Sequence, residues 1–280
     1  MIAPDKLDQL IAHVKEQIEL LAFDDPDPDI LRQMVEGLAD TRQSVRLSLI
    51  AALGEIGEPA TPFLLNGLTN NPDVTVRKTC CHALSNIGDP LAVSGLIQAL
   101  QNDENIVVKG AAASALTKVG SPAFEPLCKV LASETADESC KGQAAWAIAS
   151  MSSDISEQLY NSTNHPSPTV RTAVIGAIAQ LARQNKDPNA PKAIRNALSD
   201  PAADVRIEAA ADLARLNVQD AYQMLTKLLD DPEAEVRKSA VLALGKFNRA
   251  ETLEVIAPLT RDPSSQVQRV ATLVIEQLST

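Results

Sequence analysis

DPEAEVRKSAVLALG, running from Asp231 to Gly245, decides how the rest of the chain is read. Asp231-Pro232 is a turn, because proline cannot supply the N–H that a helix interior needs. Beyond it Val236, Ala240, Ala243 and Leu244 recur at spacings of three and four, the apolar stripe of an amphipathic helix. The same arrangement returns seven more times. The copies are SVRLSLIAALGEIG from Ser44, TVRKTCCHALSNIG from Thr75, VVKGAAASALTKVG from Val107 and SCKGQAAWAIASM from Ser139. They continue with TVRTAVIGAIAQLA from Thr169, DVRIEAAADLARLN from Asp204 and QVQRVATLVIEQLS from Gln266. The residue after the Val position is Arg46, Arg77, Lys109, Lys141, Arg171, Arg206, Arg237 and Gln268, at separations of 31, 32, 32, 30, 35, 31 and 31. Spacing this constant marks an internal repeat.

Each copy, called helix B below, follows a second amphipathic segment, helix A: ILRQMVEGLA, ATPFLLNGLT, LAVSGLIQAL, AFEPLCKVLA, APKAIRNALS, AYQMLTKLLD and TLEVIAPLTR, with a weak fifth member, DISEQLYNST. Gly57, Gly88, Gly120, Asn217 and Asn248 are of the types that accept left-handed backbone after a helix. Pro59, Pro90 and Pro122 open the next helix, where a missing N–H costs nothing. One hairpin cannot bury its own apolar stripe, and a neighbouring repeat supplies the missing wall. The expected fold is all-α: a right-handed α-solenoid of about eight two-helix repeats plus an N-terminal helix. Residues 1–27 are expected to form an acidic capping helix and 28–280 a single array, irregular around 133–191. There Cys140-Lys141 replaces Val-Arg, NSTNHPSPTV is rich in Ser and Pro, and RQNKDPNAP lengthens one interval. Such a break is a bend, a functional insertion or a harmless loop.

The composition agrees with thin helical layers. Of 280 residues 45% are apolar, yet only 2% are aromatic, so the core is built from Leu, Ile, Val and Ala. A net charge of −11 argues against nucleic acid and anionic membrane surfaces as partners. Residues 1–40 hold ten acids against Lys6, Lys15 and Arg32, either a docking patch for a basic partner or a solvated cap. No apolar run approaches the roughly 18–20 residues of a membrane span, and MIAPDKLDQL lacks the pattern of a signal peptide. Cys80, Cys81, Cys128 and Cys140 form no CxxC pair, which suits buried thiols in a reducing compartment and a cytoplasmic location.

The pattern D-P-x-x-x-V-R-x-x-A-x-x-A-L-G, as at Asp231–Gly245, resembles HEAT repeats, and more closely the short repeats of about 30 residues named for phycobilisome lyases. The resemblance covers about residues 28–280; neither the ankyrin nor the tetratricopeptide signature is present. Relatives in that group attach or detach open-chain bilins on phycobiliproteins, assist phycobilisome turnover, or partner iron–sulfur cluster carriers. The resemblance therefore implies a protein partner, with a tetrapyrrole-bearing or an iron–sulfur protein as candidates and a bilin as the candidate cofactor. Bilin-attaching members carry aromatic- and Arg-rich repeats, whereas this chain has one Trp and two Tyr (Tyr160 and Tyr222).

Helix geometry converts the repeat into a surface. With Val45 and its equivalents as position 0, positions 0, 4, 7, 8 and 11 share the face that packs on helix A: Val45, Leu49, Ala52, Leu53 and Ile56 in the first copy. Positions 2, 6 and 9 point away, and in a HEAT-like stack they line a concave groove. The candidate partner-binding residues there are Lys78, His82, Ser114, Thr117, Gly142, Trp146, Ala149, Ile207, Lys238 and Leu242. Small residues surround the single Trp, including Gly176, Ala179, Ala211 and Ala214. Trp146 is thus either an aromatic anchor or covered by a neighbouring loop, and full burial would end the anchor reading. The Arg after Val is expected to reach an Asp in its own or an adjacent turn. Exposed pairs of that kind contribute about 0–1 kcal/mol each, so the row is read as register.

Few residues suggest catalysis. Adjacent helical residues point about 100° apart, so Cys81 and His82 do not converge on one metal. Asp212 occupies a position held by Ala in other copies, with nothing in the sequence converging on it. Phosphate-loop, GxSxG and HExxH motifs are absent from the sequence, so no catalytic or metal residue is assigned. The first functional expectation is a non-catalytic scaffold gripping a protein partner in the helix B groove. The second is a bilin lyase-like or chaperone activity on a phycobiliprotein, and the third a partner of iron–sulfur delivery that depends on Cys81.

Overall fold

The computed structural model describes residues 3–20, 26–185, 187–247, 249 and 251–279, and these contain helices and turns without a strand. They form two compact units, Met1–Ala147 and Ile148–Thr280. The first unit holds α1 (Pro4–Glu19), α2 (Pro28–Gly37), α3 (Gln43–Ile56), α4 (Thr61–Asn70), α5 (Val74–Ile87), α6 (Val93–Asn102), α7 (Ile106–Val119), α8 (Ser121–Ala132) and most of α9 (Glu138–Ser150). The second holds α10 (Ser156–Asn161), α11 (Pro168–Asn185), α12 (Ala190–Ala197), α13 (Ala203–Arg215), α14 (Tyr222–Lys227), α15 (Ala234–Lys246), α16 (Glu251–Ile256) and α17 (Ser265–Leu278). Even-numbered helices are helix A and odd-numbered ones from α3 onward are helix B, which makes the chain an all-α solenoid.

The helix B stripe is the core. Val45, Leu49, Ala52 and Leu53 are buried, as are Val76, Cys80, Ala83 and Leu84, and in the second unit Val236, Ala240, Ala243 and Leu244. Each fully buried aliphatic side chain contributes about 1.5–3 kcal/mol. Position 11 lies at the edge of the stripe, so Ile56 and Ile87 are only half-buried while Val119 and Met151 are covered. Helix B also packs directly on the helix B of the next repeat, α3 on α5 and α5 on α7 in one unit, α11 on α13, α13 on α15 and α15 on α17 in the other. Gly88 ends α5 in the left-handed region at φ 69°, and Asn217 does the same after α13 at φ 52°. Asn248, another expected stop, lies outside the described residues. Pro59 and Pro90 start short 3-10 turns ahead of α4 and α6, while Pro122 sits in the first turn of α8 itself. The weak fifth helix A is the six-residue α10, and the long interval shows as an 18-residue α11, against 14 residues in α3, α5 and α7.

The Val-Arg motif builds a ladder between turns. Arg206 donates through Nε and Nη2 to the two oxygens of Asp231, both at 2.8 Å, while its Nη1 donates to the Asp200 and Pro201 carbonyls. Arg237 repeats this on Asp262 and on the Asp231 and Pro232 carbonyls. Arg171 does so on Asp200, and in the first unit Arg77 does so on Asp103. Each carboxylate also accepts a backbone N–H two residues on, as Asp231 does from Glu233. Gln268, lacking a guanidinium, keeps only the carbonyl bond, to Asp262. His165 stands where later repeats have Asp: its Nδ1 accepts the Ser167 N–H and its carbonyl accepts from Arg171. Lys141 pairs with Glu138 of its own helix. The expectation of exposed pairs is corrected here. The four guanidiniums that grip Asp are only 11–14% exposed, because the flanking repeats close over them. Desolvation then makes a broken pair far costlier than a lost surface contact.

Candidate functional site

In the first unit, positions 2 and 6 of helix B form an open face. Trp146 is 53% exposed, and His82, Ser114 and Gly142 are exposed beside half-buried Lys78 and Thr117. A Cβ built on Gly110 or Gly142 would meet nothing within 4 Å, so neither glycine is making room for a neighbour. The exposed indole therefore shares this face with glycines and short polar side chains. Partial burial, and then the Lys78 ammonium, lower the His82 pKa below the ordinary imidazole value, which keeps the ring neutral at physiological pH. The Thr117 hydroxyl is turned onto the Ser114 carbonyl at 2.7 Å.

In the second unit Leu242 is exposed on α15, while Lys238, Ile207 and Ala149 are half-buried, and Lys238 is paired with Glu235. Position 9 requires a correction. It was expected to pave the groove, but it faces the helix B of the next repeat. A Cβ on Gly54 would come within 3.0 Å of Asn86, and one on Gly245 within 2.6 Å of Val274. Ala179 and Ala214 are buried in the same way. The small residues in that row are small because two helix backbones approach there. Of the three, positions 2 and 6 are the open ones; Thr117 and Ala149, expected in the groove, are at position 9 and are half-buried.

The thiols lie inside. Cys80, Cys81, Cys128 and Cys140 are all free and buried. Burial, with the nearby Asp103 charge, pushes the Cys81 thiol up to about 12, so it stays protonated and away from solvent while His82 points out. The cysteine-dependent reading loses its residue there. Among the described residues no group of three or more His, Cys, Asp or Glu is arranged to hold a metal, and no helix is long and apolar enough to cross a membrane.

Asp212 does have company, contrary to the sequence reading. Its Oδ1 lies 2.9 Å from Arg215 Nη2 and 3.7 Å from Arg183 Nη1, and Arg215 Nη2 also reaches Glu208 at 3.1 Å. Asp212 is 1% exposed, and its second oxygen is buried with no hydrogen-bond partner among the described residues. Burial, then the Glu208 charge, push the Asp212 carboxyl above the usual carboxylate range, against the pull of Arg215 and Arg183. Arg183 belongs to the extra turn of α11, so the long repeat interval was the signal that could have located it.

Comparison with known proteins agrees with this architecture. Residues 31–117 and 190–276 match the HEAT repeats model. The bilin biosynthesis protein MpeU of Synechococcus sp. (strain WH8020) is 36% identical over 202 residues, covering 72% of this chain and 68% of that protein. Among solved structures, an engineered protein shares 21% identity over 98% of this chain and 83% of its own, with a TM-score of 0.41. The complex of CpcE and CpcF of phycocyanin lyase from Nostoc sp. PCC7120 shares 19% identity over 91% of this chain and 97% of the other, with a TM-score of 0.33. The chain belongs to the HEAT-repeat family, in its short phycobilisome-lyase-like variety.

Proposed function

We propose that this chain is a binding protein of bilin metabolism, which grips a bilin-bearing or bilin-accepting protein on the open helix B face around Trp146. The observation that carries the reading is the half-exposed indole on the same open face as Gly110 and Gly142, with nothing packed on either glycine. Trp is enriched among the residues that dominate interface energies, and a large ring beside small neighbours offers a partner side chain both a wall and a floor. The bilin element rests on the relative named for bilin biosynthesis. A second reading is favoured by the same relative: the chain itself holds the bilin while an acceptor receives it, a lyase-like role. Affinity capture from a lysate that contains phycobiliproteins tests the first reading, with wild type compared with Trp146→Ala. The expected result is a coloured phycobiliprotein retained by wild type and lost at least tenfold in the variant, an effect of ~1.4 kcal/mol or more. Equal retention by both proteins removes the Trp146 face from the account. Retention of free bilin without protein favours the second reading.

A further inference from the structure

The regular repeat is broken in two places in the second unit, and the two breaks meet. The 35-residue interval lengthens α11 by about one turn, which carries Arg183, and one repeat later Asp212 replaces the core Ala of Ala52, Ala83, Ala115, Ala177 and Ala243. Gly176 leaves room for the Glu208 carboxylate, which would lie 3.4 Å from a Cβ built there. The buried Arg–Asp pairs of the ladder put Nε and Nη2 on both oxygens of one carboxylate, and the exposed Asp220 takes Arg195 Nη1 on both of its oxygens. The cluster takes neither form. Both arginines approach the same oxygen of Asp212, the other oxygen is buried without a partner, and the Nε–Nη2 edge of Arg183 rests on Gln180. Arg183 and Arg215 remain 39% and 45% exposed on the face shared with Ile207 and Ala211. The Nε–Nη2 edge is engaged on both, that of Arg183 by Gln180 and that of Arg215 by the Ala211 carbonyl, Glu208 and Asp212, so the Nη1 side of each guanidinium is the part that faces solvent beside the buried acid. A guanidinium matches a carboxylate in plane and spacing.

We infer that Arg183 and Arg215, held in place by Asp212 and Glu208, form a site for a propionate carboxylate of a linear tetrapyrrole, whose apolar rings lie along Ile207 and Ala211. The inference rests on the second reading above, in which the chain itself holds the bilin, and names the part of that ligand which this site would recognise. Asp212 and Glu208 pre-position the guanidiniums, and the incoming carboxylate takes their exposed Nη1 sides. The probes are biliverdin, which carries two free propionates, and its dimethyl ester, which has the same rings without the charges. Each is titrated into the full chain and followed by its visible absorption. Wild type is expected to bind the free acid about tenfold more tightly than the ester, a preference typical of charge-assisted pairing. Arg183→Gln with Arg215→Gln abolishes that preference. Because this double variant leaves Asp212 buried and unpaired, the same changes are also made with Asp212→Ala, which restores the residue usual at this position. Asp212→Ala alone removes one of the two carboxylates that position the guanidiniums, and is expected to weaken the free acid while leaving the ester unmoved. Equal affinity for acid and ester, or a preference that survives loss of both arginines, overturns this site and leaves the bilin reading standing. No binding of either form retires this site together with the reading in which the chain itself holds the bilin, and leaves protein capture on the Trp146 face to its own test.

Discussion

Within the second unit, the ladder and the Asp212 cluster bring arginine and buried aspartate together differently. In the turns, Arg206 and Arg237 hold Asp231 and Asp262 with both forks closed, and each carboxylate also takes a backbone N–H. Across α11 and α13, Arg183 and Arg215 share one oxygen of Asp212 while the other has no partner. The electrostatics diverge accordingly. The Arg237 guanidinium holds the Asp262 carboxyl below its ordinary range, whereas burial and the Glu208 charge push Asp212 above it. A pair that recurs at the repeat period with every valence satisfied fixes register. A pair that occurs once, with guanidiniums still part-exposed, is the one that has room for a ligand. The same two residue types therefore carry different meanings, and geometry tells them apart.

The largest effect is expected in the ladder. Arg206→Ala removes both bonds to Asp231 and the two carbonyl bonds, stranding a carboxylate whose side chain is only 7% exposed. The expected loss is about 3–5 kcal/mol, measured by urea unfolding. A loss below about 1 kcal/mol would place this pair with ordinary surface contacts and erase the contrast. Asp212→Ala is expected to move the other way, stabilising by about 1–2 kcal/mol at neutral pH, because a poorly satisfied buried charge gives way to the usual core methyl. The pH dependence sharpens this. A raised folded pKa means the native state binds more protons than the unfolded chain above pH about 4, so the Asp212 contribution weakens as pH rises towards neutrality. The gain from Asp212→Ala should therefore be larger at about pH 7.5 than at about pH 4.5. The ladder has the opposite sign. With Asp262 lowered, its contribution is complete above pH about 4 and is lost as acid protonates it. A gain from Asp212→Ala that does not change with pH would show that this carboxyl is not perturbed.

Much of this architecture was legible in the residues. The spacing of Val-Arg predicts every helix B, and the stripe at positions 0, 4, 7 and 8 predicts most of its core, but not position 5, where Cys81, Ala113, Ile175, Ala210 and Val241 are buried as well. The Asp partners of the arginines were predicted in kind, but their burial was not, since closure of adjacent repeats over a turn leaves no local sequence signal. The site was less legible. Asp212 was visible as an anomaly, yet Arg183 lies 29 positions earlier, in a stretch that reads as loop until α11 is seen to run through it. Position 9 misled for a related reason. A small residue at an exposed surface and a small residue under a crossing helix look the same in one sequence, and the angle around a single helix does not say where its neighbour sits.

That ambiguity gives the smallest but cleanest test, a pair of identical substitutions at glycines of opposite meaning. Gly245→Ala places a methyl 2.6 Å from Val274 Cγ1, and a β-branched side chain packed at a helix crossing has no free rotamer to escape into. The expected cost is about 1–2 kcal/mol, reduced by the gain in helix propensity. Gly142→Ala puts the same methyl into open space on the Trp146 face, where only propensity acts, and should stabilise α9 by about 0.5–1 kcal/mol. Opposite signs would establish that the repeat uses small residues in two ways, as spacers between helices at position 9 and as an uncovered floor at position 2. A loss at Gly142 as large as that at Gly245 would mean that something packs on the floor beside Trp146, and the binding face would then have to be sought elsewhere. If Gly142→Ala stabilises the fold yet weakens partner capture, the floor is in contact with the partner, because a methyl that helps the helix can harm binding only by standing where the partner does.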